Sequence, residues 1–175
     1  AGFDGPEDRN GKRNADEIRL WADYLSDATY LVDDDGTPGG LDGDALFVVA
    51  GDLNNDPFDG SLGGEPIRQL LEHPRVDDSF VPASEGGVEQ ARLQGRANDT
   101  HIGNPAHDTA DFSDDRFGNA RVDYVLPSVD LEVVDGGVYW PTTDDPDFAL
   151  VGTFPFPSSD HRLVWIDVRV PQPAP

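Results

Sequence analysis

Five polar side chains that could together cleave a phosphate ester lie beside apolar stretches of the sequence. They are three carboxylates, one carboxamide and one imidazole, namely Asp52, Asn54, Asp123, Asp160 and His161. Carboxylates hold Mg²⁺ (or Mn²⁺), and Mg²⁺ keeps water and phosphate oxygens among its ligands. An oriented histidine can donate to a phosphate oxygen, and a carboxylate can orient or deprotonate the attacking water. These residue types therefore predict metal-assisted attack of water on a phosphate ester.

A calcium loop is the alternative chemistry for the first of these stretches. Asp52, Asn54 and Asp56 match the first three ligand positions of a D-x-N-x-D calcium loop. The pattern then fails, because Pro57 stands where the sharp turn requires Gly, and Gly63 where a bidentate Glu is expected. The sequence therefore favours a catalytic edge of a sheet over a calcium-stabilised structural domain.

Four apolar runs predict the strands that would position these side chains. The runs are 45–50, 122–126, 131–139 (with a possible break at Gly136-Gly137) and 163–170. The first is short and continuously apolar, which predicts a strand buried on both faces. The last alternates between two kinds of side chain, as a strand with two different faces does. With the helices predicted below, these runs indicate an α/β layered domain with catalytic loops at strand ends.

Two helices are predicted before and between these strands. Asn14 stands three residues before Glu17, the spacing of a capping box. Apolar residues follow from Ile18 to Ala28 at helical spacing, which predicts about four turns with one face on a core. A second, shorter helix is expected at 67–71, ending near Pro74.

The rest of the chain shows little periodicity. Residues 82–120 predict a long loop, and a loop of that length is usually functional or mobile. We expect one domain over 1–175, with a polar arm at 1–13 and a C-terminal tail at 171–175.

The charge balance is strongly acidic. Asp and Glu number 35 against 12 Lys and Arg, a formal net charge of −23. We interpret this as a solvated surface adapted to high salt, because at about 1 M salt the Debye length is only ~3 Å and self-repulsion is screened. No cysteine is present, which excludes disulfides, and no apolar stretch approaches the ~20 residues of a membrane span. A soluble protein of a high-salt organism is expected, either cytoplasmic or secreted.

Three motifs in order carry a family resemblance. They are GDLN at 51–54, RVDYVLPS at 121–128 and SSDHRLVW at 158–165. In this order they resemble the C-terminal motifs of the endonuclease/exonuclease/phosphatase superfamily, and the segment Phe3–Gly11 with Arg13-Asn14 resembles a mid-domain segment of some members. The resemblance implies the deoxyribonuclease-I-like fold, a four-layered α/β sandwich with mixed β-sheets and Mg²⁺-dependent phosphoesterase chemistry.

The resemblance also implies a role for each residue of the motifs. Asp52 would orient or deprotonate the attacking water and help to hold the metal, and Asn54 would hydrogen-bond the phosphate. Asp160 would be a metal ligand or lie beside the metal. His161 would contact the scissile phosphate, and Asp123 would hold the orientation of the His161 ring.

The chain also departs from the family pattern. The resemblance covers the C-terminal portion of the family's domain, and nothing visible replaces the metal-binding Glu of the N-terminal half. We therefore expect a fragment, and the partner expected for its exposed sheet edge or face is a second copy of the chain. The alternative is a non-catalytic interaction module of the same fold. The substrate is expected to be a small phosphoester or nucleic acid, with the small ester favoured because no basic groove is visible.

Two assignments stay open at the level of sequence. Asp123 could instead be a buried acid paired with Arg121, rather than a partner of His161. His101 and His107 lie among loop acids that could form a second cation site or simply a solvated loop.

Overall fold

The computed structural model describes residues 5–60 and 64–171. The described helices are α1 (Arg9–Leu25), α2 (Glu65–Leu71), α3 (Glu85–Gln94) and α4 (Phe148–Val151), with 3₁₀ turns at Asn98–Thr100 and Pro105–His107. The described strands are β1 (Val48–Asp52), β2 (Ala110–Asp111), β3 (Asn119–Ala120), β4 (Asp123–Pro127), β5 (Glu132–Tyr139) and β6 (Leu163–Arg169). This combination of helices and strands confirms the predicted α/β class.

The strands pair two by two. β1 pairs with β4, β2 with β3, and β5 with β6. All three pairings are antiparallel, so the parallel pairing that a mixed sheet requires is not seen among the described residues. The four-layered arrangement stays a prediction.

Apolar side chains gather into two clusters. The larger one joins α1 and α2 to the β1–β4 pair and contains Ile18, Leu25, Val49, Ile67, Leu70, Val76, Tyr124 and Leu126. The smaller one contains Val138, Trp140 and Val151. Because the larger cluster lies under β1 and β4, it fixes the two strand ends from which Asp52 and Asp123 project.

The predicted start of the first helix is wrong. α1 begins at Arg9, so Asn14 and Glu17 lie inside the helix and form no capping box. Residues 9–13, expected as part of an arm, are its first turns. Asn14 instead donates from Nδ2 to the Leu53 carbonyl at 2.8 Å. The second predicted helix is confirmed by α2.

Two details of the predicted strands are also wrong. In β1 Val49 is buried, whereas Val48 is 43% exposed and Ala50 is exposed, so only one face of the strand is covered. β5 runs unbroken through Gly136 and Gly137, and its one irregularity lies earlier, between Val133 and Asp135.

The predicted loop at 82–120 contains a helix that the sequence pattern concealed. Two adjacent glycines, Gly86 and Gly87, disfavour a helix, yet α3 passes through both. A Cβ on Gly86 would lie 2.0 Å from the Trp140 carbonyl oxygen, so this close approach requires a residue without a side chain. The Ser84 hydroxyl caps the helix by accepting from the Gly87 N–H at 3.1 Å.

Some expectations concern residues outside the described ranges. These are residues 1–4 of the predicted arm, residues 172–175 of the predicted tail, and Gly63 of the rejected calcium loop. No helix in the described part of the chain combines the length and the apolar character needed to cross a membrane.

Candidate active site

The β1–β4 pairing brings the first two candidate residues together. Asp52 lies directly opposite Asp123 in the antiparallel register, at the end of β1 and the start of β4. His161 reaches the same place because it forms a β-bridge with Ala110, just before β6. One potential ligand atom from each of Asp52, Asp123 and His161 lies within 4.8 Å of the others. Three segments far apart in sequence therefore converge on one point.

Asp123 holds the imidazole of His161. The Nδ1 atom lies 2.9 Å from Oδ2 and 3.1 Å from Oδ1 of Asp123. The ring of Phe112 meets the imidazole edge-on, with centroids 5.5 Å apart. These contacts fix the ring and leave Nε2 as the nitrogen available to a substrate. Asp123 is not paired with Arg121, whose guanidinium reaches Asp78 at 3.1 Å instead.

Thr109 holds Asp123 in turn, and sequence reasoning missed it. Its hydroxyl accepts from the backbone N–H groups of Val122 and Asp123 at 3.0 and 2.9 Å. It lies 2.9 Å from Asp123 Oδ2, to which it donates. Thr109 is 2% exposed, so this hydroxyl is a buried support for the Asp123–His161 pair. A lone threonine fourteen residues upstream carries no sequence signal for such a role.

Burial and neighbouring charges shift the pKa values of the pair. Burial raises the pKa of Asp123 above its ordinary value, although the hydrogen bond and charge of His161 oppose the rise. For His161 burial lowers the pKa, but the hydrogen bond to Asp123 and the charges of Asp123, Asp52 and Asp160 outweigh it, so the pKa is raised. The neighbouring carboxylates therefore make the His161 imidazole a stronger base than a free histidine side chain.

The turn after β1 is held from two sides. Asp52 Oδ1 accepts from the Asn54 N–H at 2.8 Å, and Asn54 adopts a left-handed conformation with φ of 49°. The Leu53 N–H donates to the Val122 carbonyl at 2.8 Å, while its carbonyl accepts from Asn14. Asp52 and Asn54 stay exposed, on the rim of a cavity of about 420 Å³ whose other wall is α1.

Asp160 lies next to this group but outside it. Its carbonyl accepts from the Asp111 N–H at 2.8 Å, which fixes the backbone before His161. Its carboxylate is not among the atoms that converge within 4.8 Å. Its charge nevertheless acts on His161, so it adds to the negative potential around the site.

Asp56, the third residue of the rejected calcium loop, points elsewhere. It is 5% exposed, and its carboxylate accepts from three backbone N–H groups, those of Phe58, Asp59 and Arg121, at 2.7, 2.7 and 2.8 Å. A carboxylate with these bonds is a structural cap for the loop. Among the described residues it does not join Asp52 in a metal-binding group.

The second cation site, which the sequence leaves undecided for residues 82–120, is not formed either. Asp99 accepts from the Arg96 N–H at 2.9 Å, and Asp111 is bound by Gln94 and Arg162 at 2.9 and 3.2 Å. In the described part of the chain, the metal-binding geometry is met by Asp52, Asp123 and His161 alone.

One of the comparisons with known proteins identifies the family of the chain. The sequence model of the endonuclease/exonuclease/phosphatase family matches residues 5–161, most of the chain. The chain therefore belongs to this family, whose members generally are metal-dependent phosphoesterases or nucleases. Neither the curated proteins nor the solved structures include a significant match.

Proposed function

We propose that this chain is a metal-dependent phosphoester hydrolase domain with its reaction centre at Asp52, Asp123 and His161. The observation that carries the proposal is the convergence of these three side chains, from three distant segments, within 4.8 Å. Membership of the endonuclease/exonuclease/phosphatase family supports the same chemistry.

The donor set fits a hard divalent cation. Asp52 is exposed and faces a second carboxylate and an imidazole, and carboxylate oxygens are preferred ligands of Mg²⁺ and Mn²⁺. We propose that Asp52 would hold the ion directly and that Asp160, whose carboxylate lies outside the converging group, would lie beside it as a further ligand or charge, because Asp123 is engaged by His161 and Thr109. When bound, the ion would neutralise charge on the phosphoryl oxygens.

Each residue of the site has a separate task in this proposal. Asp52 orients the attacking water and accepts its proton. His161 donates from Nε2 to a phosphate oxygen, where charge develops in the transition state. Asp123 is a positioning residue that keeps Nδ1 of His161 protonated, as buried carboxylates do for other catalytic histidines. Asn54 donates a hydrogen bond to the phosphate from its exposed carboxamide.

A small phosphoester is the favoured substrate class. Several of the basic side chains are taken up by ion pairs with acids, including Arg96 with Asp115, Arg121 with Asp78 and Arg162 with Asp111. Polyanionic nucleic acid needs a continuous basic surface for affinity, and a net charge of −23 opposes it.

The test is hydrolysis of a chromogenic phosphodiester in about 1 M KCl, with Mg²⁺ or with EDTA. We expect Mg²⁺-dependent turnover that falls at least about 100-fold in Asp52→Asn, while Asp35→Asn, an exposed loop substitution, leaves it unchanged. Melting temperature gives a second readout, since Mg²⁺ should stabilise the parent chain more than Asp52→Asn. Absence of both turnover and Mg²⁺ stabilisation would overturn the proposal and favour a non-catalytic interaction module.

A further inference from the structure

A second cavity opens next to the reaction centre. It has a volume of about 990 Å³ and is lined by residues of the segments 94–96, 111–115 and 153–160. Two of its lining residues connect it to the site: Phe112, whose ring packs on the imidazole of His161, and Asp160. The cavity therefore adjoins the position of a phosphate held at His161.

The cavity has an aromatic wall that is held rigidly from behind. The guanidinium of Arg162 lies over the rings of Trp140 and Phe156, at 4.4 and 5.4 Å from their centroids. Arg162 is itself fixed, because it donates to Asp111 Oδ2 at 3.2 Å and to the Ser159 carbonyl at 2.7 Å. Its side chain is fully buried. The same residue therefore anchors Phe156 and the backbone next to His161.

Phe154 completes the wall and faces solvent. Its ring meets that of Phe156 edge-on at 6.1 Å between centroids, and the residue is 84% exposed. An aromatic ring this exposed, backed by a fixed neighbour, presents an open face on which another flat ring can stack.

The charges around the cavity restrict what can enter it. Asp114, Asp115 and Asp160 line it, and its one lining cation, Arg96, is paired with Asp115 at 2.8 Å. A ligand with a second phosphate in this cavity would meet uncompensated carboxylates. An uncharged ring would not, and three aromatic residues, Phe112, Phe154 and Phe156, line the cavity.

We propose that this cavity binds the organic group of the substrate, and that this group is a flat heterocycle without negative charge, stacked on Phe154. The substrate class is thus a small ester with a single phosphate and a nucleobase-like ring. This inference rests on the proposed function, because that function places the phosphate at His161.

The test compares two ligands that differ only in the ring, uridine 5′-monophosphate and ribose 5-phosphate. Binding is measured by equilibrium dialysis in molar KCl with Mg²⁺. We expect the ring-bearing ligand to bind about tenfold tighter or more, the range found for base stacking on an aromatic side chain. Phe154→Ala should remove most of this ratio and Phe154→Trp should keep it. Leu150→Ala is the matched control, since Leu150 is also exposed but does not line the cavity.

The outcomes separate this inference from the proposed function. Equal binding of the two ligands, or a ratio that survives Phe154→Ala, overturns the ring site whether or not the chain hydrolyses esters. A ring preference lost in Phe154→Ala supports the site even where turnover and Mg²⁺ stabilisation are both absent, in which case the proposed function fails alone. Tighter binding of a single-stranded tetranucleotide than of the mononucleotide would overturn the conclusion that the substrate carries a single phosphate.

Discussion

Burial raises the pKa of both Asp123 and Asp108, but the two carboxyl groups have different neighbours. Burial raises the pKa of Asp123, but His161 and Thr109 donate hydrogen bonds that favour its charged form. Asp108 is 7% exposed and has carboxylates as its electrostatic neighbours, Asp56 and Asp59. Burial and these charges raise its pKa from 3.8 to about 8. The first carboxyl is therefore suited to holding a histidine, whereas the second destabilises the fold when it ionises.

This difference predicts how stability changes with pH. The pKa of Asp108 in the folded chain lies above that in the unfolded chain, so the folded protein holds the extra proton between about pH 4 and pH 8. This contribution to the unfolding free energy is therefore lost as the pH rises through that window. Asp108→Asn should raise the unfolding free energy at about pH 8 by roughly 1–3 kcal/mol and flatten its pH dependence. Urea denaturation at several pH values checks this.

The matched control for this substitution is Asp35→Asn, which removes the same charge from an exposed loop. It should leave the slope of unfolding free energy against pH unchanged. A slope that stays the same in Asp108→Asn would show that Asp108 is ionised in the folded protein at neutral pH.

At the scale of elements, the site depends on how α1 meets the turn after β1. The side-chain bond from Asn14 to the Leu53 carbonyl joins residues 39 positions apart and is half-buried. Asn14→Ala should lower the unfolding free energy by about 1 kcal/mol, because the carbonyl loses its donor. Asn10→Ala is the control, since Asn10 lies in the same helix and its side-chain oxygen accepts from the exposed Arg13. Both variants replace Asn by Ala in the same helix, so a larger fall in melting temperature for Asn14→Ala is assigned to the lost bond.

The sequence predicts those site residues that lie in or next to an apolar run. Asp123 lies inside an apolar run, and Asp52 and His161 lie two residues from one. These runs overlap β4, β1 and β6. Thr109 and Asn14 could not be found in this way, because their roles arise from contacts 14 and 39 residues distant. Asn14 was even misassigned as a helix cap, since its spacing to Glu17 mimics a capping box. α3 was missed because its glycines are explained only by the approach of the Trp140 carbonyl.

At the scale of the whole molecule, the charge is the dominant feature. A net charge of −23 on 175 residues repels itself in dilute buffer, and salt screens this repulsion as the Debye length falls from about 10 Å at 0.1 M to about 3 Å at 1 M. We therefore expect the melting temperature to rise by several degrees when KCl is raised over that range.

A charge-reduced variant separates screening from general effects of salt on burial. Asp34, Asp35 and Asp44 are exposed, and changing all three to Asn removes three negative charges from one connecting segment. Screening acts in proportion to the repulsion that is present, so this variant should melt higher than the parent in 0.1 M KCl and gain less from added salt. Salt that strengthens only the burial of apolar surface would raise both melting curves equally. If melting temperature rises equally with KCl concentration in the two chains, the salt response comes from burial of the core. The acidic composition would then have no physical basis for being interpreted as adaptation to high salt.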